Sequence, residues 1–227
     1  MILVVASMKV ELEGLFGLDR SPGHWKDCKL EYTGIGRDNV YETLKTLELE
    51  PDLRALLSVG FGGSIDPGVK PGDLCLIEAV GSGDGKDKFY PDEGFTSLAR
   101  SSLDGNFTDC GLLTVGSTAT EPEEKRSLGS DEFSIIDRET YWIAKLADEK
   151  NVPFLGLRVV IDGVDQKLPP DCCYDGDTGK VKPGSFTSWL INNPVQIGEL
   201  PRLGWNSIRA RRRLGEAVNR VVPAIMR

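Results

Sequence analysis

The sequence predicts a single α/β domain over residues 1–227, with a central mixed, largely parallel sheet flanked by helices. Three observations carry that prediction. Ile2-Leu3-Val4-Val5-Ala6 is a continuous apolar run, the pattern of a central strand buried on both faces. Phe133 to Asp165 reads as strand, helix, strand, with apolar residues at Phe133, Ile135 and Ile136, a helical pattern after Asp137-Arg138-Glu139, and a second apolar run from Phe154 to Ile161. Elsewhere strands alternate with helices, and neither an internal repeat nor a linker divides the chain.

After the first strand, Ser7 to Glu13 holds helix formers, which places Glu11 in a first helical turn where an acid complements the helix dipole. A second strand around Leu30 to Thr33 runs into Gly34-Ile35-Gly36-Arg37-Asp38-Asn39, and Val40, Leu44 and Leu47 continue at helical spacing. Such glycines allow a tight turn or a backbone N–H nest for an anion. The dinucleotide fingerprint needs a third glycine and an acid after the next strand; both are missing, so no nicotinamide cofactor is expected. Leu56 to Val59 forms a third strand that leads into the glycine-rich stretch Gly60 to Gly68, either a close backbone approach or an irregular loop. Leu74 to Val80 and Gly111 to Val115 are further strands, separated by an aperiodic surface excursion from Gly81 to Asn106. Thr120 reads as the N-cap of a helix with Pro122 near its first position and Glu123 following. Leu168 to Gly184 is irregular, and one or two helices interrupted at Pro194 and Pro201 close the chain from about Ser185. Glu139 and Asp162 fall just beyond the ends of two apolar runs, where a parallel sheet exposes side chains to a crevice.

A net charge of -8 and a pI near 4.9 argue against a sequence-independent nucleic-acid binder. The arginines from Arg202 to Arg220 read as the basic solvated face of an amphipathic closing helix, whose other face carries Ala210, Leu214, Ala217, Val218 and Val221. Five cysteines without CxxC spacing give neither a zinc set nor a disulfide framework, so no metal is expected. The apolar run at the start is too short for a signal peptide and no window approaches a membrane span, so the expected location is the cytoplasm.

Taken together, ASMKVE after the first strand, TGIGRDNV, VGFGGSIDPGVKPGD, IIDRETYWIA and RVVIDGVD resemble the nucleoside phosphorylase superfamily, particularly its nucleosidase branch that includes the methylthioadenosine/adenosylhomocysteine nucleosidases. A looser similarity links Leu168 to Leu214 with the hopanoid-associated phosphorylases. The resemblance implies purine salvage chemistry without a cofactor, in a homo-oligomer that binds a small nucleoside. Position by position, Asp162 stands where the family has the acid that protonates the purine at N7, Glu139 where it has the glutamate on the ribose hydroxyls, and Glu11 where nucleosidases keep the base for water. Phe61, Gly62, Gly63, Arg138 and Ile161 fall at substrate-binding positions.

This chain departs from the pattern at several of these positions. Ser58 and Phe61 stand where bacterial phosphorylases keep an arginine and a serine for phosphate. Their loss removes charge-assisted bonds worth roughly 1.5–3 kcal/mol each and favours water. Arg138 replaces a methionine beneath the ribose, where it either meets an anionic group or turns outward to an ion pair; Ile161 replaces a common serine. The expected activity is hydrolysis of the N-glycosidic bond of a purine nucleoside or a 5'-substituted adenosine derivative. Phosphate-dependent phosphorolysis, or an inactive nucleoside-binding protein, is the alternative.

Overall fold

The computed structural model describes residues 1–13, 27–46, 52–83, 87–175 and 180–226. Strand β1 (Ile2–Ala6) lies between β2 (Cys28–Tyr32) and β3 (Ala55–Ser64), parallel to both. From β3 the sheet continues antiparallel to β6 (Ile135–Asp137), then through β5 (Thr108–Thr114) and β4 (Leu74–Ser82) to β7 (Phe154–Asp162). Strand β7 also pairs in parallel with β3, so β3, β6, β5, β4 and β7 form a closed ring, with β1 and β2 extending from one side. The antiparallel β3–β6 and β4–β7 pairs make the sheet mixed.

Alternation along the strands divides the core between two helical layers. Leu3, Val5, Leu56, Ile77 and Val160 pack with α2 (Arg37–Thr46) and α5 (Thr140–Glu149) through Val40, Leu44, Ile143 and Ala147. Val4, Leu57, Leu76, Leu157 and Val159 pack with α3 (Glu93–Leu103) and α7 (Leu200–Ile225) through Ala99, Leu103, Leu214, Val218 and Val221. Each Val, Leu or Ile among them contributes about 1.5–3 kcal/mol on burial. Short α1 (Lys9–Glu13), α4 (Pro122–Leu128) and α6 (Pro183–Asn192) complete the described helices.

Several sequence expectations are corrected. Gly60 to Ser64 is not a loop but the continuation of β3, since glycines remain compatible with a ladder whose neighbours crowd close. The stretch from Gly81 to Asn106 contains helix α3, capped by Asp92, whose carboxylate accepts from Phe95 N at 2.9 Å. Phe95, Ala99 and Leu103 recur at helical spacing and pack on the core, a period that the Gly-, Asp- and Ser-rich residues around it obscure in the sequence. Helix α4 begins after Glu121 rather than Thr120, and Glu124, not Glu123, reaches back to accept from Thr120 N at 3.0 Å.

Candidate active site

The ends of β1, β3, β6 and β7 open into a cavity of about 730 Å³. All eight site residues expected from the sequence, Glu11, Phe61, Gly62, Gly63, Arg138, Glu139, Ile161 and Asp162, lie on its wall.

Glu11 reaches the cavity because α1 begins immediately after β1. Its side chain is buried and accepts three hydrogen bonds, from Phe61 N (2.7 Å), Met8 N (2.8 Å) and Ser7 Oγ (3.0 Å). The bond from Met8 N shows that it also caps its own helix, as an acid in a first turn does. Gly60 is required beside it, because a Cβ there would sit 2.8 Å from Glu11 Oε1. Burial pushes the Glu11 carboxyl above its ordinary range, with the three donors pulling the other way.

The glycine turn after β2 has a specific occupant. Gly34 and Gly36 hold φ of 85° and 92°, a left-handed backbone that favours glycine. Gly36 N thereby donates to Glu139 Oε1 at 2.7 Å, so the acceptor at this turn is the protein's own glutamate. Burial, with Asp137 as the next contributor, pushes Glu139 up to about 8. A carboxyl raised in the fold contributes stability that is complete below its unfolded value and is lost as pH rises through about 8. Glu139→Gln, which carries no charge to titrate, is therefore expected to melt close to the parent at about pH 5 and at least about 4 °C above it at about pH 9. Thermal melts across that range test this.

Beneath Glu139 lies a buried ion pair that sequence reasoning missed. Arg158, on β7, reaches Asp137 through Nη2 (2.9 Å) and Nε (3.1 Å), and its Nη2 also donates to Ser58 Oγ at 2.8 Å. Asp137 further accepts from Thr114 Oγ1 (2.7 Å) and from the N–H groups of Glu139 and Thr140 (3.3 and 3.1 Å). This network fixes the turn that aims Glu139 into the cavity. The Phe154–Ile161 run is thus not uniformly apolar, and an arginine inside a strand buried on both faces is itself a signal that a buried acid must face it. Arg158→Met leaves Asp137 uncompensated and is expected to cost about 3–5 kcal/mol, read as a lower denaturation midpoint at unchanged slope.

Asp162 ends β7 at a register irregularity. Gly62 pairs with Val160 and Gly63 with Asp162, so Ile161 is extra on its strand and the following acid is re-aimed. Gly63 gives it room, as a Cβ there would lie 3.0 Å from Asp162 Oδ2. Its partner is Lys125 of α4, whose side chain is 0% exposed and whose Nζ lies 2.5 Å from Oδ2. The same ammonium donates to the carbonyls of Gln166 (2.7 Å) and Gly163 (3.1 Å), using all three protons. Burial raises Asp162 above the usual carboxylate range and Lys125 pulls it part of the way back. Within Glu121-Pro122-Glu123-Glu124-Lys125-Arg126 nothing marks Lys125 as buried, since the segment reads as a solvated charged turn.

Arg138 forms an ion pair, the second of its two expected placements, but on the cavity wall rather than outward. Its Nη1 lies 3.1 Å from Asp171 and its Nη2 donates to Gly116 O at 3.0 Å, which ties the loop after β5 to the turn at Asp171–Cys173. Thr118 Oγ1 donates to the same Asp171 carboxylate. Ser58 lies within the sheet under Arg158 and does not line the cavity. Among the described residues no group of three or more metal-ligating side chains is arranged to hold an ion, and no described helix is long and apolar enough to cross a membrane.

The sequence profile of the phosphorylase superfamily matches residues 29–172, which span the glycine turn, β3, Lys125, Glu139 and Asp162. The chain belongs to the phosphorylase superfamily. Solved structures share this superfamily fold over nearly the whole chain. Campylobacter jejuni 5'-methylthioadenosine/S-adenosyl homocysteine nucleosidase superposes with a TM-score of 0.72 at 16% identity, covering 97% of each chain. The Streptococcus pneumoniae MTA/SAH nucleosidase, in complex with 8-aminoadenine, gives 0.70 at 17% identity over 98% of this chain and 99% of its own. Helicobacter pylori futalosine hydrolase gives 0.69 at 16% identity over 98% and 97%. No curated protein sequence matches the chain.

Proposed function

We propose that this phosphorylase-superfamily protein hydrolyses the N-glycosidic bond of a purine nucleoside or 5'-substituted adenosine derivative and releases the free base. The observation that carries this reading is Glu11, held by three donors on the wall of the same cavity as Asp162. A buried carboxylate raised above its ordinary range suits a general base near neutral pH.

In this mechanism Asp162 gives its proton to N7 of the purine as the bond from C1' to N9 breaks, and the bond electrons leave with a neutral base. Lys125 occupies Oδ2, so Oδ1 is the oxygen offered to the base. Glu139, with Oε1 committed to Gly36, holds the sugar hydroxyls through Oε2. Water adds to the oxocarbenium-like C1' and loses its proton to Glu11.

Water is favoured over phosphate by the placement of charge. Ser58 is buried under Arg158, Phe61 offers its backbone N–H to Glu11, and the terminal nitrogens of Arg138 are engaged by Asp171 and Gly116, leaving its Nε alone without a partner. The named activities of the structural neighbours agree, since the Campylobacter and Streptococcus proteins are nucleosidases and the Helicobacter protein is a hydrolase. Bound 5'-methylthioadenosine in a Helicobacter pylori relative supports a 5'-substituted adenosine as substrate. A screen of adenosine, inosine, methylthioadenosine and adenosylhomocysteine tests the reading: base release from at least one is expected, and release from none contradicts it.

A further inference from the structure

The segment between Lys180 and Arg213 differs from the rest of the molecule. It carries seven Lys and Arg residues against one glutamate, in a chain whose net charge is -8. Helix α6 has a Phe-Thr-Ser-Trp-Leu-Ile core yet buries none of its residues, and it packs against only the Asp171–Cys173 turn and the 3-10 segment Pro194–Glu199 among its main neighbours. Ile191, Val195 and Trp205 are 74%, 81% and 62% exposed, with Ile197 and Ile208 also more than half exposed. Around them stand the exposed cations Lys180, Lys182, Arg202, Arg209 and Arg212. Val181 and Ile208 line the catalytic cavity as well, so this surface surrounds its mouth.

We infer that this face, formed by α6, the 3-10 segment and the first turns of α7, docks the protein on an anionic lipid bilayer. Exposed aliphatics and a tryptophan enter the boundary between headgroups and acyl chains, while arginine and lysine stems extend along them and hold their charges at the phosphates. The cations complement a negatively charged surface, Arg202 and Arg212 while also pairing with Glu199 (3.7 Å) and Glu216 (2.9 Å). A second copy of this chain fits less well, because a two-fold contact through this face would set the same arginines and lysines against one another. Arg202, Arg209, Arg212 and Arg220 are exposed, as the amphipathic reading of this helix has it, while Ala210, Leu214, Val218 and Val221 anchor its other face to the core; the proposal adds an occupant for the exposed face at the helix start.

Co-sedimentation of the full chain with vesicles tests the assignment. With equimolar phosphatidylglycerol and phosphatidylcholine at low salt the protein is expected to pellet. Binding should be at least about tenfold weaker on phosphatidylcholine alone and at high salt. The triple variant Ile191→Asp, Val195→Asp, Trp205→Asp should lose binding with unchanged melting temperature, native mass and base release. Absence of binding to both vesicle types, or equal binding to both, overturns the proposal. A native mass that falls in the triple variant also overturns it, because the face would then join two copies.

Discussion

Asp162→Asn is expected to lose base release by about a thousandfold while still folding, with a lowered Tm. The amide keeps a carbonyl oxygen for Lys125, which lies 2.5 Å from the carboxylate in the parent, but not the charge that offsets the buried ammonium, and that loss lowers the Tm. What the variant lacks is a proton to give. A purine leaving without protonation at N7 carries its negative charge into a cavity whose other acids, Glu11 and Glu139, are buried beside it, and the barrier rises accordingly. Full activity in Asp162→Asn would remove Asp162 from the role of acid.

Lys125→Met acts on the same proton from the other side. Lys125 pulls down a carboxyl that burial pushes up, so its removal lets Asp162 hold its proton to higher pH. The basic limb of the kcat/KM profile that belongs to Asp162 is expected to move up by at least about one pH unit, with a lower plateau because the acid is weaker. Stability should also fall, by about 3 kcal/mol, since Asp162 loses the cation that faces it and the carbonyls of Gly163 and Gln166 lose their donor. For a chain of this size that is a drop of roughly 6–12 °C in Tm. A lower Tm with an unmoved limb would make Lys125 a structural residue only. The limb is therefore the deciding readout.

Much of this site is legible in the sequence because its acids sit at the ends of apolar runs. Glu11 after Ile2–Ala6, Glu139 after Ile135-Ile136 and Asp162 after Phe154–Ile161 are placed by strand endings alone, and the glycines at 36, 60 and 63 mark where backbone approaches them. What the sequence hides is the set of partners. Lys125 lies in a segment of four charges whose solvation would be the ordinary expectation, and only the fold carries it to a residue 37 positions away. Arg158 is visible, but which acid neutralises it depends on the pairing of β3 with β7 and of β3 with β6. Helix α3 carries a readable period, with Phe95, Ala99 and Leu103 standing four apart, but the Gly-, Asp- and Ser-rich residues on either side obscure it. The closed ring of strands follows from β7 pairing on both sides, a long-range choice that no local pattern encodes.

The central claim is that water, activated at Glu11, is the nucleophile. Analysis of the sugar product formed in buffer saturated with inorganic phosphate tests it most directly. The structure predicts free base and the free reducing sugar, at a rate the same as without phosphate. Sugar 1-phosphate as the product, with release that depends on phosphate, would contradict it.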